Sequence, residues 1–123
     1  MRCPCGSGRA YADCCGPLLD GVRPVATPEQ LMRSRYTAFV RLDAAYLLAT
    51  WHQSTRPRRL ELDRQRAWRG LEVLATTGGL LADEGTVTFR AHYRDGGADG
   101  VQAEHSAFRR VGGRWAYTGP VSP

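Results

Sequence analysis

The sequence predicts an α+β protein, with helices packed on one face of a curved antiparallel sheet and a small cysteine knuckle at the N-terminus. Three observations carry that prediction. Apolar residues recur with a helical period between Pro28 and Trp51, the period changes to two from Leu71 onward, and all four cysteines fall between Cys3 and Cys15. Runs of helix followed by runs of strand make segregated layers the expected architecture. At 123 residues the chain has room for one hydrophobic core and a short appendage. It divides into the knuckle at residues 1–16, a connector broken by proline and glycine at 17–28, and the main α+β domain at 29–123.

Thr27, Pro28 and Gln30 read as the N-cap, first-position proline and capping-box partner of the first long helix. Through Leu42, a rotation of about 100° per residue gathers Leu31, Met32, Tyr36, Phe39 and Leu42 on one side, with Arg33, Ser34, Thr37 and Arg41 opposite. Arg35 breaks the pattern. It projects between Leu42 and Phe39, where burial of an unpaired charge is costly. Asp43 reads as the cap of a second short helix, Ala44 to Trp51, with Tyr46, Leu47 and Trp51 facing inward. Pro57 closes the region after the polar HQSTR stretch, and a third helical turn is expected from Asp63 to Trp68.

From Leu71 the alternation of Leu71, Val73 and Ala75 predicts a two-faced strand. Val87, Phe89, Ala91 and Tyr93 predict a second, against Thr88, Arg90, His92 and Arg94 on its other face. Asp95 to Gly100 reads as a turn, residues 101–111 as a partner strand, Gly112-Gly113 as a hairpin turn and RWAYTGP as the last strand.

The net charge of +5 arises from 17 basic residues, all of them arginine. An acidic partner or RNA is compatible with that charge, although no basic helix with interleaved aromatics stands out. The start of the chain lacks a signal-like apolar run, and no stretch approaches the roughly 18 apolar residues of a membrane span. A cytoplasmic protein without a membrane partner is expected. In a reducing compartment, clustered cysteines read as metal ligands or redox thiols.

Cys3-x-Cys5 and the adjacent pair Cys14-Cys15 form two ligand pairs joined by a short loop. Four thiolates at this spacing suit tetrahedral Zn²⁺ in a closed, structural shell. Gly6-Ser7-Gly8 supplies the tight turn and backbone N–H donors toward sulfur, and Arg2 and Arg9 lie near enough in sequence to offset the negative shell. So small a segment has little apolar area of its own, so the metal is expected to organise it. A redox dithiol is the alternative, weakened by the strain of a vicinal disulfide and by the lack of C-x-x-C.

CPCGSGRAYADCC resembles the SEC-C motif, the zinc-binding element found in the tail of the SecA translocation ATPase. LMRSRYTAFV, YLLATWH, STRP, WRGLEVL, GTVTFRAHY, HSAFRR and GGRW resemble the YchJ-like family of bacterial proteins. The two resemblances together cover nearly the whole chain. They imply zinc on Cys3, Cys5, Cys14 and Cys15, and a nuclear-transport-factor-two-like domain, a cystatin-like cone of helices against a curved sheet. In SecA the related element contacts the SecB chaperone and the ribosome through basic loop residues. Here only Arg9 is basic between Arg9 and Asp13, a departure from that pattern. Many relatives carry a second SEC-C element at the C-terminus, and this sequence ends at Val121-Ser122-Pro123 without one. Pairing through the open sheet face, common in the fold, implies a homodimer.

A cone of helices over a sheet can enclose a ligand pocket. Its candidates are Arg35, Trp51, His52, Glu72, Arg90, His92, Glu104 and His105. A histidine with a glutamate supplies a general base, and Arg35 either anchors an anionic small ligand or pairs internally with Glu72 or Glu104. No Ser-His-Asp order, phosphate-binding glycine loop or H-E-x-x-H is present. The leading expectation is a zinc-containing binding or adaptor protein whose knuckle presents a partner-contact surface. The alternatives are a small-molecule binder or enzyme using the cone, and an RNA- or ribosome-associated protein.

Overall fold

The computed structural model describes residues 1–121; Ser122 and Pro123, the end of the segment assigned to the main domain, lie outside the described residues. A 3-10 turn at Tyr11–Asp13 leads into α1 (Cys15–Leu19), followed by α2 (Pro28–Val40) and α3 (Ala44–Ala49). Four strands come after, β1 (Arg66–Thr77), β2 (Glu84–Asp95), β3 (Ala98–Val111) and β4 (Arg114–Pro120). They form one antiparallel meander in the order β1-β2-β3-β4. Among the described residues, no helix is long and apolar enough to cross a membrane.

The caps written in the sequence are made. Thr27 Oγ1 accepts the Gln30 backbone N–H at 3.2 Å, and Pro28 occupies the first helical position. The Gln30 side chain reaches back one residue further than a capping box requires, accepting from Ala26 N–H at 2.9 Å. Asp43 Oδ1 accepts from Tyr46 N–H at 3.0 Å and starts α3. That helix stops at Ala49, short of the expected Trp51, because residues 50–52 turn to the free edge of β4. Tyr117 N–H donates to Thr50 O and His52 N–H to Tyr117 O, both at 2.8 Å, so the sheet edge is covered by a short parallel bridge.

The expected helical turn from Asp63 to Trp68 is absent. Asp63 Oδ1 instead accepts from Gln65 N–H at 2.9 Å, an Asx turn that feeds the chain into β1 at Arg66. The alternation in β1 also ends early: a register shift between Val73 and Ala75 removes Ala75 from the inner face. The next turn is tighter than Asp95 to Gly100, since β2 continues to Asp95 and β3 begins at Ala98.

Leu31, Met32, Tyr36, Leu71, Val87, Phe89, Ala91, Phe108 and Trp115 form the core between α2 and the sheet. Burial of one such large side chain contributes about 1.5–3 kcal/mol. Cys3, Cys5 and Cys15 belong to the same cluster, so the knuckle packs into the domain rather than beside it. This corrects the reading of α2. Ser34 and Thr37, expected on its solvent side, are fully buried, because α3 and the knuckle cover that face.

Candidate metal centre

The knuckle is a closed loop. Cys3 N–H donates to Arg9 O and Tyr11 N–H to Met1 O, each at 2.9 Å, and between them Gly6 and Gly8 take φ of +79° and +84°. Those left-handed values are open to glycine at little cost, which is what lets Cys5 and Cys14 meet across the loop. All four Sγ atoms lie within 4.8 Å of one another. Cys5 Sγ and Cys14 Sγ are 3.7 Å apart. A tetrahedral metal with bonds of about 2.3 Å to four sulfurs requires sulfur–sulfur edges of about 3.8 Å, so the donor set fits such an ion.

Electrostatics point the same way. The Cys5 thiol is pulled down to about 4, chiefly by a hydrogen bond from Cys15 and against its burial, with Ser7 assisting. Cys15 is pushed up, first because it donates to Cys5 and then by burial, while Cys14 is raised mainly by burial. A group this compact holds one thiolate easily and resists ionising the rest unless a cation joins them.

The main domain supplies surrounding groups that the sequence left on a solvent face. Thr37 Oγ1 lies 3.8 Å from Cys3 Sγ. Arg33 Nη1 donates to Cys5 O at 2.7 Å while its Nε pairs with Glu29 at 2.9 Å. Within the loop, Ser7 Oγ stands 3.2 Å from Cys14 Sγ. Arg41 stacks on Tyr11, its guanidinium carbon 4.7 Å from the ring centre. Arg33 and Thr37 stand one helical turn apart on α2, but only the position of the knuckle gives them this role.

The other candidate residues are split by the sheet. Glu72, Arg90, His92 and His105 alternate with the core residues and lie on the uncovered outer face. There His92 Nε2 and Glu72 Oε1 are 2.5 Å apart, with both side chains at least 41% exposed, and the pairing holds the Glu72 carboxyl below its usual range. Arg35, Trp51, His52 and Glu104 belong to the helix side. Arg35 is 4% exposed and pairs with neither Glu72 nor Glu104. Its Nη1 donates to Leu47 O and Thr50 Oγ1 at 2.8 Å, and its guanidinium carbon lies 5.0 Å from the Trp51 ring centre and 4.6 Å from that of Tyr117. Burial lowers it to about 10, which leaves it charged at neutral pH. Glu104 instead accepts from Tyr117 OH at 2.7 Å and from Ser106 Oγ.

Two clefts border the knuckle and connector. One, of about 370 Å³, lies between the loop and the start of α2 and is lined by Ser7, Cys14, Arg23 and Arg33 among others. The larger, of about 590 Å³, lies between the connector, the end of α3 and β4, and includes Trp51 and His52.

Comparison with known proteins matches residues 27–120 to the family described as YchJ, middle NTF2-like domain, and residues 2–17 to the SEC-C motif. A UPF0225 protein of Streptomyces coelicolor is 52% identical over 116 residues, spanning 94% of this chain and 90% of that protein. Another from Xanthomonas oryzae is 52% identical over 122 residues with the same two coverages. The solution structure of a SEC-C motif containing protein from Rhodopseudomonas palustris superposes with a TM-score of 0.87 at 36% identity, covering 100% of this chain and 99% of that one. The crystal structure of such a protein from Psychrobacter arcticus gives 0.79 at 27% identity, covering 98% and 82%. With its four-cysteine loop fused to helices on an antiparallel meander, the chain belongs to the YchJ family, an NTF2-like domain preceded by a SEC-C motif.

Proposed function

We propose that this chain is a zinc-containing binding protein in which the metal builds part of the binding surface. An all-sulfur set of four ligands, with no imidazole or carboxylate and no open position, suits zinc in a structural role. The observation that carries the reading is that Cys3, Cys5 and Cys15 share one buried cluster with Leu31, Tyr36 and Trp115. Zinc on Cys3, Cys5, Cys14 and Cys15 would pin the chain's start to α2 and fix the connector that walls both clefts. Binding is favoured over catalysis because the His92–Glu72 pair sits on the outer face, remote from either cleft.

A second reading, a protein adaptor, is supported by the exposure of Gly6, Gly8, Arg9, Ala10, Ala12 and Asp13 around the knuckle's outer turn. Metal analysis after removal of loose ions tests the common element. About one equivalent of zinc is expected, falling sharply in Cys14→Ser; less than about half an equivalent, or no loss in the variant, refutes the ligand set.

A further inference from the structure

The larger cleft has an uneven charge. Arg23, Arg56 and Arg114 line it, and no aspartate or glutamate does among the described residues. None of the three forms a salt bridge there. Arg56 is held in place, Nε and Nη2 donating to Trp51 O at 3.0 and 2.8 Å. His52 Nδ1 is anchored on Ser54, 3.1 Å from its backbone nitrogen and 2.7 Å from its Oγ. Behind this wall the buried Arg35 stacks on Trp51 and adds a further positive charge, offset in part by Glu104 beyond Tyr117.

The same cleft has an apolar side. Leu18, Val25, Trp51 and Trp115 contribute to it, and the Trp51 indole N–H is buried without an acceptor. That donor is left without a partner by the chain itself. A volume of about 590 Å³ falls within the range of about 300–1,000 Å³ typical of small-molecule pockets.

We propose that this cleft binds a small organic anion, its flat apolar body against Trp51 and Trp115 and its phosphate or carboxylate head held by Arg23, Arg56 and Arg114. Guanidinium forks match both heads, and three cations without a counter-charge favour any anion that also covers apolar surface. The inference rests on the binding-protein reading and gives it a ligand class.

The test titrates the full chain, with zinc content measured on the same sample, with phenyl phosphate, benzoate, benzyl alcohol and inorganic phosphate, followed by amide and indole NMR. The two aromatic anions are expected to shift the Trp51 indole and residues 52–56 and 113–116 saturably. Benzyl alcohol and inorganic phosphate should bind at least about tenfold more weakly, since each lacks half of the recognition. Tighter phenyl phosphate identifies a phosphate head, and tighter benzoate a carboxylate head. The double variant Arg56→Gln/Arg114→Gln, at unchanged melting temperature, should lose at least about tenfold in affinity, and binding should weaken with salt. Absence of saturable shifts, indifference to the double variant, inorganic phosphate binding as well as phenyl phosphate, or an RNA oligonucleotide occupying this face when neither aromatic anion does, would each overturn the proposal. Zinc-free protein that still binds the anions upholds the cleft and overturns the metal reading. Zinc-loaded protein that binds none does the reverse.

Discussion

At Thr37, in the middle of α2, a hydroxyl faces sulfur instead of water: it is fully buried and 3.8 Å from Cys3 Sγ. Such outer groups orient ligands and temper their charge, and losing one typically costs about 10–100-fold in metal affinity. Thr37→Val keeps the shape and removes the hydroxyl. Competition with a chromogenic chelator should show metal held about tenfold more weakly by this variant, with all four cysteines intact. Unchanged affinity would reduce Thr37 to packing. Arg35 makes a contrasting point about burial. The sequence marked it as a charge in an apolar stripe, and the expected answers were a carboxylate or a ligand. The structure answers with two aromatic faces and two oxygen acceptors, a solution no spacing rule discloses because Trp51 and Tyr117 meet only through the bridge at the sheet edge.

Among the elements, the sheet's uncovered face carries Glu72 on β1 beside His92 on β2. The Glu72 carboxyl is held low, first by its hydrogen bond to His92. A carboxyl lowered on folding adds stability above its unfolded value, near about 4.3, and loses it as pH falls through the lower folded value. Melting of Glu72→Gln should therefore lie below that of the parent at neutral pH and converge with it in acid; a constant gap from pH 7 downward would deny the ionic coupling. The strands of this sheet were legible because Val87, Phe89 and Ala91 alternate strictly with exposed or half-buried polar residues. The caps of α2 and α3 were legible because Thr27 and Asp43 need only their local backbone. Asp63 shows the limit: the same acceptor chemistry starts a helix or turns the chain into a strand, and β2 decides by pairing with Arg66–Trp68. The face of α2 occupied by Ser34 and Thr37 reads as polar and is buried, since small hydroxyl residues admit a close neighbour whose identity lies outside the helix.

For the molecule as a whole, the convergence of the four cysteines on one point was legible from their spacing, but their place in the architecture was not. A loop of this size looked like an appendage organised by its ion. Instead Cys3, Cys5 and Cys15 complete a core built by residues as distant as Trp115, and Arg33 ties the Cys5 carbonyl to α2. On the proposed zinc reading, metal-binding energy would be folding energy for the entire domain, because an ion bound only by the native state stabilises every part that unfolds with it. Differential scanning calorimetry of zinc-loaded and chelator-treated protein tests this most directly. One cooperative transition is predicted, its midpoint falling by at least about 10 °C when the metal is removed, as a loss of several kcal/mol requires for a domain of this size. A domain transition left unmoved after one equivalent of zinc has been extracted would contradict the account.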